Sequence, residues 1–209
     1  MKKLLIATVA TLAMGAVVMP AVSQAADFTS GGSVITSNEL ISSTTVSASG
    51  TPRILLTASN GATVACTLTI SSTSTGSWVG AGGSDFIAAG DLVFSSCVSN
   101  TGCPVTATNN NTIASTLSES GGVFTNTLSN ISFTDFLLPS PPCPGSLTFT
   151  GTLATDVQHD AAACGGNGGL ILEFTAGGGT LSGPGGLTAT AAGFQEVCLQ
   201  SGNDLDVTP

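Results

Sequence analysis

Apolar and small polar residues alternate with a period of two along most of this chain, the pattern of strands that keep one face on a core. The alternation is clearest between Gly61 and Cys97. Val64-Ala65-Cys66-Thr67-Leu68-Thr69-Ile70 and Asp91-Leu92-Val93-Phe94-Ser95-Ser96-Cys97 read as two strands, with a cysteine on each. Between them, Ser71 to Gly83 is rich in Ser, Thr and Gly and carries the only tryptophan, Trp78. Upstream, Thr51-Pro52 and Asn60-Gly61 bracket Arg53-Ile54-Leu55-Leu56-Thr57. Asn-Gly is a strong hairpin-turn signal, so Arg53 to Ala58 is expected to pair back on Val64 to Ile70. Weaker alternation at Ser33 to Thr36 and Leu40 to Ala48 predicts either edge strands or an extended arm within residues 26–50.

After Cys97 a polar loop runs to Asn111, and short strands are expected over Thr112 to Leu117, Gly122 to Leu128 and Ile131 to Phe136, separated by Gly121-Gly122 and Ser129-Asn130. Leu137 to Gly145 holds four prolines, which forbid a helix and deny a ladder its donors. Ser146 to Leu153 restarts a strand, and Asp156 to Gly169 reads as a long connection holding the one histidine, His159. Short strands at Gly169 to Ala176, Gly179 to Leu181, Leu187 to Ala191, Glu196 to Gln200 and Leu205 to Thr208 complete the series. The pattern predicts an all-β fold, a single antiparallel β-sandwich of Greek-key or jelly-roll type over residues 26–209.

The first 25 residues stand apart. Met1-Lys2-Lys3 precedes an apolar run from Leu4 to Met19, a break at Pro20 and small residues at Ser23 and Ala25. This is the form of a secretory signal peptide, and the run is shorter than the roughly 20 residues a membrane span needs. A secreted or cell-surface location follows, with no stable membrane insertion after cleavage. Beyond Ala25, Arg53 is the only basic side chain against 12 acidic ones, a formal charge of −11. Nucleic acid and anionic lipid are held by Lys/Arg clusters, so neither is an expected partner. Charged residues make up only 7% of the chain and mean hydropathy is +0.45, which leaves strands weakly guarded against edge association. Self-association and contact with cell-surface or matrix components are the partners this composition suits.

Candidate chemistry is sparse. Asp156, His159 and Asp160 could be joined with a serine into a hydrolase triad, yet no Gly-x-Ser-x-Gly elbow is present and the setting reads as a solvated loop. An enzyme is not expected. The run Gly80-Ala81-Gly82-Gly83 lacks the Lys and helix of a phosphate loop, so no cofactor is expected. Asp156, His159 and Asp160, and separately Asp204 and Asp206, offer metal-ligating groups, but surface charge is the simpler reading and no metal site is assigned. Trp78 reads as a strand residue or core plug, and it is also the one candidate ligand contact, because a Trp beside glycines can stack on a sugar. Glycosylation sequons occur at Asn110 and Asn130. Six cysteines in an exported chain imply up to three disulfides, and 15 pairings are open to them.

The pattern as a whole resembles a family of small exported bacterial proteins known as activators of alkane oxidation. The resemblance rests on Ala65-Cys66-Thr67-Leu68, on Leu92 to Cys97, and on the Pro-rich approach to Cys143 followed by Ser146-Leu147-Thr148-Phe149. It closes with Cys198 and the terminal Leu205-Asp206-Val207-Thr208-Pro209. It implies bonds between Cys66 and Cys97 and between Cys143 and Cys198, which leave Cys103 for Cys164. It also implies a secreted, non-catalytic protein associated with growth on hydrocarbons or with biofilm. The expected function is therefore that of a surface or matrix protein, surface-active or adhesive toward apolar material. The alternatives are a fimbria-like subunit donating its N-terminal strand and a carbohydrate-binding module.

Overall fold

The computed structural model describes residues 23–46, 52–137 and 145–209, so residues 1–22 of the expected signal peptide, residues 47–50 of the expected arm and most of the proline-rich segment, with Cys143, lie outside the described residues. The fold is all-β and antiparallel, as the alternation predicts. Its strands are β1 (Gln24–Ala25), β2 (Asp27–Ser30), β3 (Ser33–Val34), β4 (Glu39–Val46), β5 (Ile54–Ala58), β6 (Thr63–Ile70), β7 (Trp78–Val79), β8 (Ser84–Ile87) and β9 (Leu92–Ser99). They continue with β10 (Val105–Asn109), β11 (Ile113–Ser120), β12 (Val123–Leu137), β13 (Leu147–Asp160), β14 (Gly169–Phe174), β15 (Leu181–Ser182), β16 (Thr188–Leu199) and β17 (Leu205–Thr208). Helical geometry is confined to short turns such as Ala81–Gly83 and Pro184–Gly186.

Three strands organise the rest: β12, β13 and β16, of 15, 14 and 12 residues. One half of each takes part in the cycle β5, β6, β9, β10, β12, β13, β15, β16, which returns to β5. The other half takes part in the cycle β4, β7, β8, β11, β12, β13, β14, β16, which returns to β4. The sandwich-like body is thus wrapped by a ladder that closes on itself in both halves. Each long strand changes partners at a backbone irregularity. In β12 the register shifts between Leu128 and Ile131, with Asn130 at φ 60°. In β13 and β16 the bends are Gly151 and Gly193, at φ 153° and 139°. A Cβ on Gly193 would come within 2.7 Å of the Arg53 carbonyl oxygen, so glycine is required there both by conformation and by space.

Inward positions supply one continuous apolar core in which Val79, Ile113, Leu170, Leu181 and Leu205 are the largest fully buried apolar side chains. Burying a side chain of this size contributes about 1.5–3 kcal/mol. One end of the body is closed by a three-stranded sheet, β17–β2–β3, whose Phe28 and Leu205 join the core and whose β17 packs on β13, β14 and β16. Within the segment read as edge strands or an arm, β2 and β3 lie in that small sheet, whereas β4 is paired along β16 from Ile41 to Val46. Gln24–Ala25 pairs with Ser118 and Glu119 of β11.

Several sequence expectations are corrected. Ser129-Asn130 is a bulge inside one strand, and the polar stretch after Cys97 contains β10. His159 stands on β13, opposite Leu170, rather than in a loop. Of the disulfides, Cys66–Cys97 forms as expected, but Cys198 bonds Cys164, which overturns both Cys143–Cys198 and Cys103–Cys164. The reason is the pairing of β14 with β16: Leu170 faces Val197, so the turn preceding β14 lays Cys164 beside Cys198. Cys103 is also disulfide-bonded.

Candidate functional site

At the end of the body opposite the small sheet, the hairpin turn between β5 and β6, the end of β9, the start of β13 and the start of β16 surround a cavity of about 230 Å³. Its apolar wall is formed by Leu56, Ala58, Ala62, Val64, Leu147, Phe149, Leu187 and Ala189, and its polar groups are Asn60, Ser99 and Thr101. Among the described residues, no charged side chain lines it. The turn is held by the Asn-Gly geometry anticipated from sequence, with Gly61 at φ 85°. Asn100 ties the rim together: its Oδ1 accepts from Thr63 N at 2.9 Å and its Nδ2 donates to Gly61 O at 3.0 Å. Ser59 N donates to Thr188 O at 2.8 Å, and Ser59 Oγ accepts from Thr188 N at 3.2 Å. These bonds fix the mouth from three strands, so it is formed before anything enters it.

Leu56 and Val64 also line a narrower cavity of about 50 Å³ deeper in the core, otherwise walled by residues such as Phe94, Leu128, Phe133 and Leu153. Asp85 reaches this inner space from β8. Asn126 Nδ2 donates to Asp85 Oδ2 at 2.7 Å, and the Ser115 hydroxyl sits close enough to favour the charged form without making a hydrogen bond of normal geometry. Burial nevertheless pushes the Asp85 carboxyl above its ordinary value of 3.8, the Ser115 and Asn126 side chains offsetting part of that rise. Asp85 Oδ1, Ser115 Oγ and Asn126 Oδ1 are left without hydrogen-bond partners. A proton on Asp85 turns one of these unmatched acceptors into a donor.

The outer surface carries a second feature. Val98 of β9 faces Ala65 of β6, Ala65 faces Leu55 of β5, and Leu55 faces Ala192 of β16. Facing residues project to the same side of a sheet, so four strands in succession present an apolar side chain in one row. Val98 and Leu55 are 46% and 38% exposed, which makes the row accessible rather than part of the core.

Among the residues singled out from sequence, Trp78 lies on β7, half-buried, and its ring stacks on Phe86 of β8 with centroids 5.4 Å apart. Gly80 lies close against the Trp78 ring. His159 Nε2 is 2.8 Å from Asp204 Oδ1, and that hydrogen bond pushes the imidazole above its ordinary value, with burial opposing and Asp206 and Asp160 adding. The strand alternation of β13 sends Asp156 and Asp160 to one side and His159 to the other, so the three do not converge. Among the described residues, the one group of three metal-ligating side chains within mutual reach is Cys164, Glu196 and Cys198. Its two sulfurs are bonded to each other, which removes the thiolates a metal would need. Sequence reasoning missed Asp85, Ser115 and Asn126 as interior groups and missed the mouth. No signal in the pattern could have found Asp85, because Ser84-Asp85-Phe86-Ile87 sets two polar residues before two apolar ones and shows no period of two.

No protein-family model, curated protein or solved structure matches the chain. No helix among the described residues is long and apolar enough to cross a membrane.

Proposed function

We propose that the protein is an exported, non-catalytic component of the cell surface or matrix that adheres to apolar material. The outward row Val98, Ala65, Leu55 and Ala192 carries this reading, because it offers an uncharged apolar strip that runs across four neighbouring strands on the outer surface. The export pattern of the first 25 residues and the resemblance to activators of alkane oxidation support the same reading, with a role in hydrocarbon use or biofilm formation.

The test is adsorption of the purified protein to hexadecane droplets, beside a Leu55→Lys, Val98→Lys variant. Exposed substitutions of this kind change stability by about 0.5 kcal/mol or less, so the variant folds. Adsorption at least fivefold weaker (roughly 1 kcal/mol) is expected. Variant and wild type adsorbing equally, or cells lacking the gene attaching to hydrocarbon and building biofilm as the parent does, would overturn the reading.

A further inference from the structure

We propose that the mouth cavity is a binding site for one neutral aliphatic chain that ends in an uncharged hydrogen-bonding group such as a hydroxyl. The site is distinct from the outer strip and does not rest on its role.

Its volume of about 230 Å³ is the liquid-phase space of roughly eight water-sized heavy atoms, which accommodates a medium-length chain. The wall dictates the chemistry of the body of the ligand: Leu56, Val64, Phe149 and Leu187 present hydrocarbon and offer no ion partner. The rim dictates the chemistry of its end. Asn60, Ser99 and Thr101 are uncharged donors and acceptors; Ser99 Oγ and Thr101 Oγ1 already share a bond at 2.7 Å, while Asn60 uses its Oδ1 for Ala62 N and keeps its amide Nδ2 for another acceptor. A carboxylate would enter a site without a cation, in a chain whose one described basic residue, Arg53, does not line it. Around the mouth β5, β6 and β16 are already hydrogen-bonded on both sides, so none of these three offers an edge to which a peptide strand could be added. The rim bonds of Asn100 and Ser59 hold the cavity open, which spares the ligand the cost of ordering it.

The experiment is a titration of the full secreted protein, isotope-labelled at its methyl groups, with 1-alkanols from butanol to dodecanol, followed by nuclear magnetic resonance. Shifts are expected at the methyls of Leu56, Val64 and Leu187. Affinity should rise about fourfold for each methylene added while the cavity fills, then level off near eight carbons. Octanoate at pH 7 should bind at least tenfold more weakly than 1-octanol. Ala189→Phe fills the cavity from a buried strand position, and Ala62→Phe fills it from the turn; each should abolish the shifts, and the turn variant keeps the test alive if the strand variant does not fold. Leu55→Lys, Val98→Lys should bind 1-octanol as wild type does, which separates this site from the outer strip. The proposal is overturned by shifts confined to Leu55 and Val98, by affinity that keeps rising beyond ten carbons, by octanoate binding as tightly as octanol, or by no binding up to the solubility limit of decanol.

Discussion

Replacing Cys164 and Cys198 tests the connectivity and its energetic weight together. The bond spans 34 residues, and closing a loop of that length restricts the unfolded chain by about 4 kcal/mol at 25 °C in the chain-entropy model. A second quantity acts in the opposite direction. Cys164 is held at φ 58° and ψ 33°, a left-handed conformation that costs an L-residue about 1–2 kcal/mol and glycine almost nothing. Cys164→Ala, Cys198→Ala should therefore lose about 4 kcal/mol, and Cys164→Gly, Cys198→Ala about 1 kcal/mol less. For a domain of this size each kcal/mol moves the melting temperature by about 2–4 °C, so the alanine pair should melt about 8–16 °C below wild type and the glycine pair a few degrees above the alanine pair. The assay is thermal unfolding without reductant, preceded by non-reducing peptide mapping of wild type. A map linking Cys198 to Cys143, or Cys164 to Cys103, would refute the pairing. Equal melting of both variants and wild type would refute the magnitudes.

Two further outcomes follow from interior groups. The folded-state pKa of Asp85 lies above its unfolded value of 3.8, so between those two values the folded protein holds more protons and stability falls as pH rises. Asp85→Asn should remove that slope and, by giving Asn126 Oδ1 or Ser115 Oγ a donor, stabilise the protein by about 1–3 kcal/mol at pH 7; urea midpoints at pH 4, 5.5 and 7 that run parallel in both proteins would contradict this. Gly193→Ala should cost about 2–3 kcal/mol, because the residue sits at φ 139° and its Cβ would press on the Arg53 carbonyl and on Ile54; a melting temperature unchanged from wild type would show that β16 does not bend there.

The period-two pattern made most strands legible, because burial of one face is written in every second residue. The β5–β6 hairpin was legible in detail, since Asn60-Gly61 permits the positive φ its turn requires. What was not legible was continuity. Ser129-Asn130 and Gly193 have the composition of strand ends, and in a flat two-stranded context they would be. Here a strand crosses from one set of partners to another and must bend without stopping, and only the closed ladder shows which of the two meanings applies. His159 failed in the same way: beyond Val157 the strand carries only polar side chains, so its extension to Asp160 depends on pairing with β14 and leaves no trace in hydropathy. The mouth was illegible because its lining comes from residues as distant as Leu56 and Leu187, each of which reads as ordinary core. The pairing of Cys164 with Cys198 depends likewise on the adjacency of β14 and β16, which alternation cannot encode.

The scarcity of charge predicted weakly guarded edges, and the closed ladder changes where that weakness lies. Both cycles are continuous, but among the described residues the ladder between the neighbouring strands β9 and β10 is reduced to the pair Thr108 and Val93. Beyond Val93 that side of β9 is the thin seam of the body, and its Val93 and Val98 are 49% and 46% exposed. A strand side so sparsely hydrogen-bonded and free of charge is ordinarily protected by a lysine or a proline. Here it is handled by geometry and a covalent bond. The pairing of β6 with β9 shifts register between Ala65 and Thr67, with Ser96 at φ 50°, so an extra residue bulges the strand and increases its twist at that point. Cys97 lies in the same irregularity and bonds Cys66, with Cα atoms 4.1 Å apart, fastening β9 to β6 on the one side where it has a full partner. The clamp thus fastens the strand that carries Val98 to its neighbour β6, while the bulge adds twist on the side that meets β10. The face that Val98 shares with Ala65 and the side of β9 that meets β10 are thus different parts of one strand.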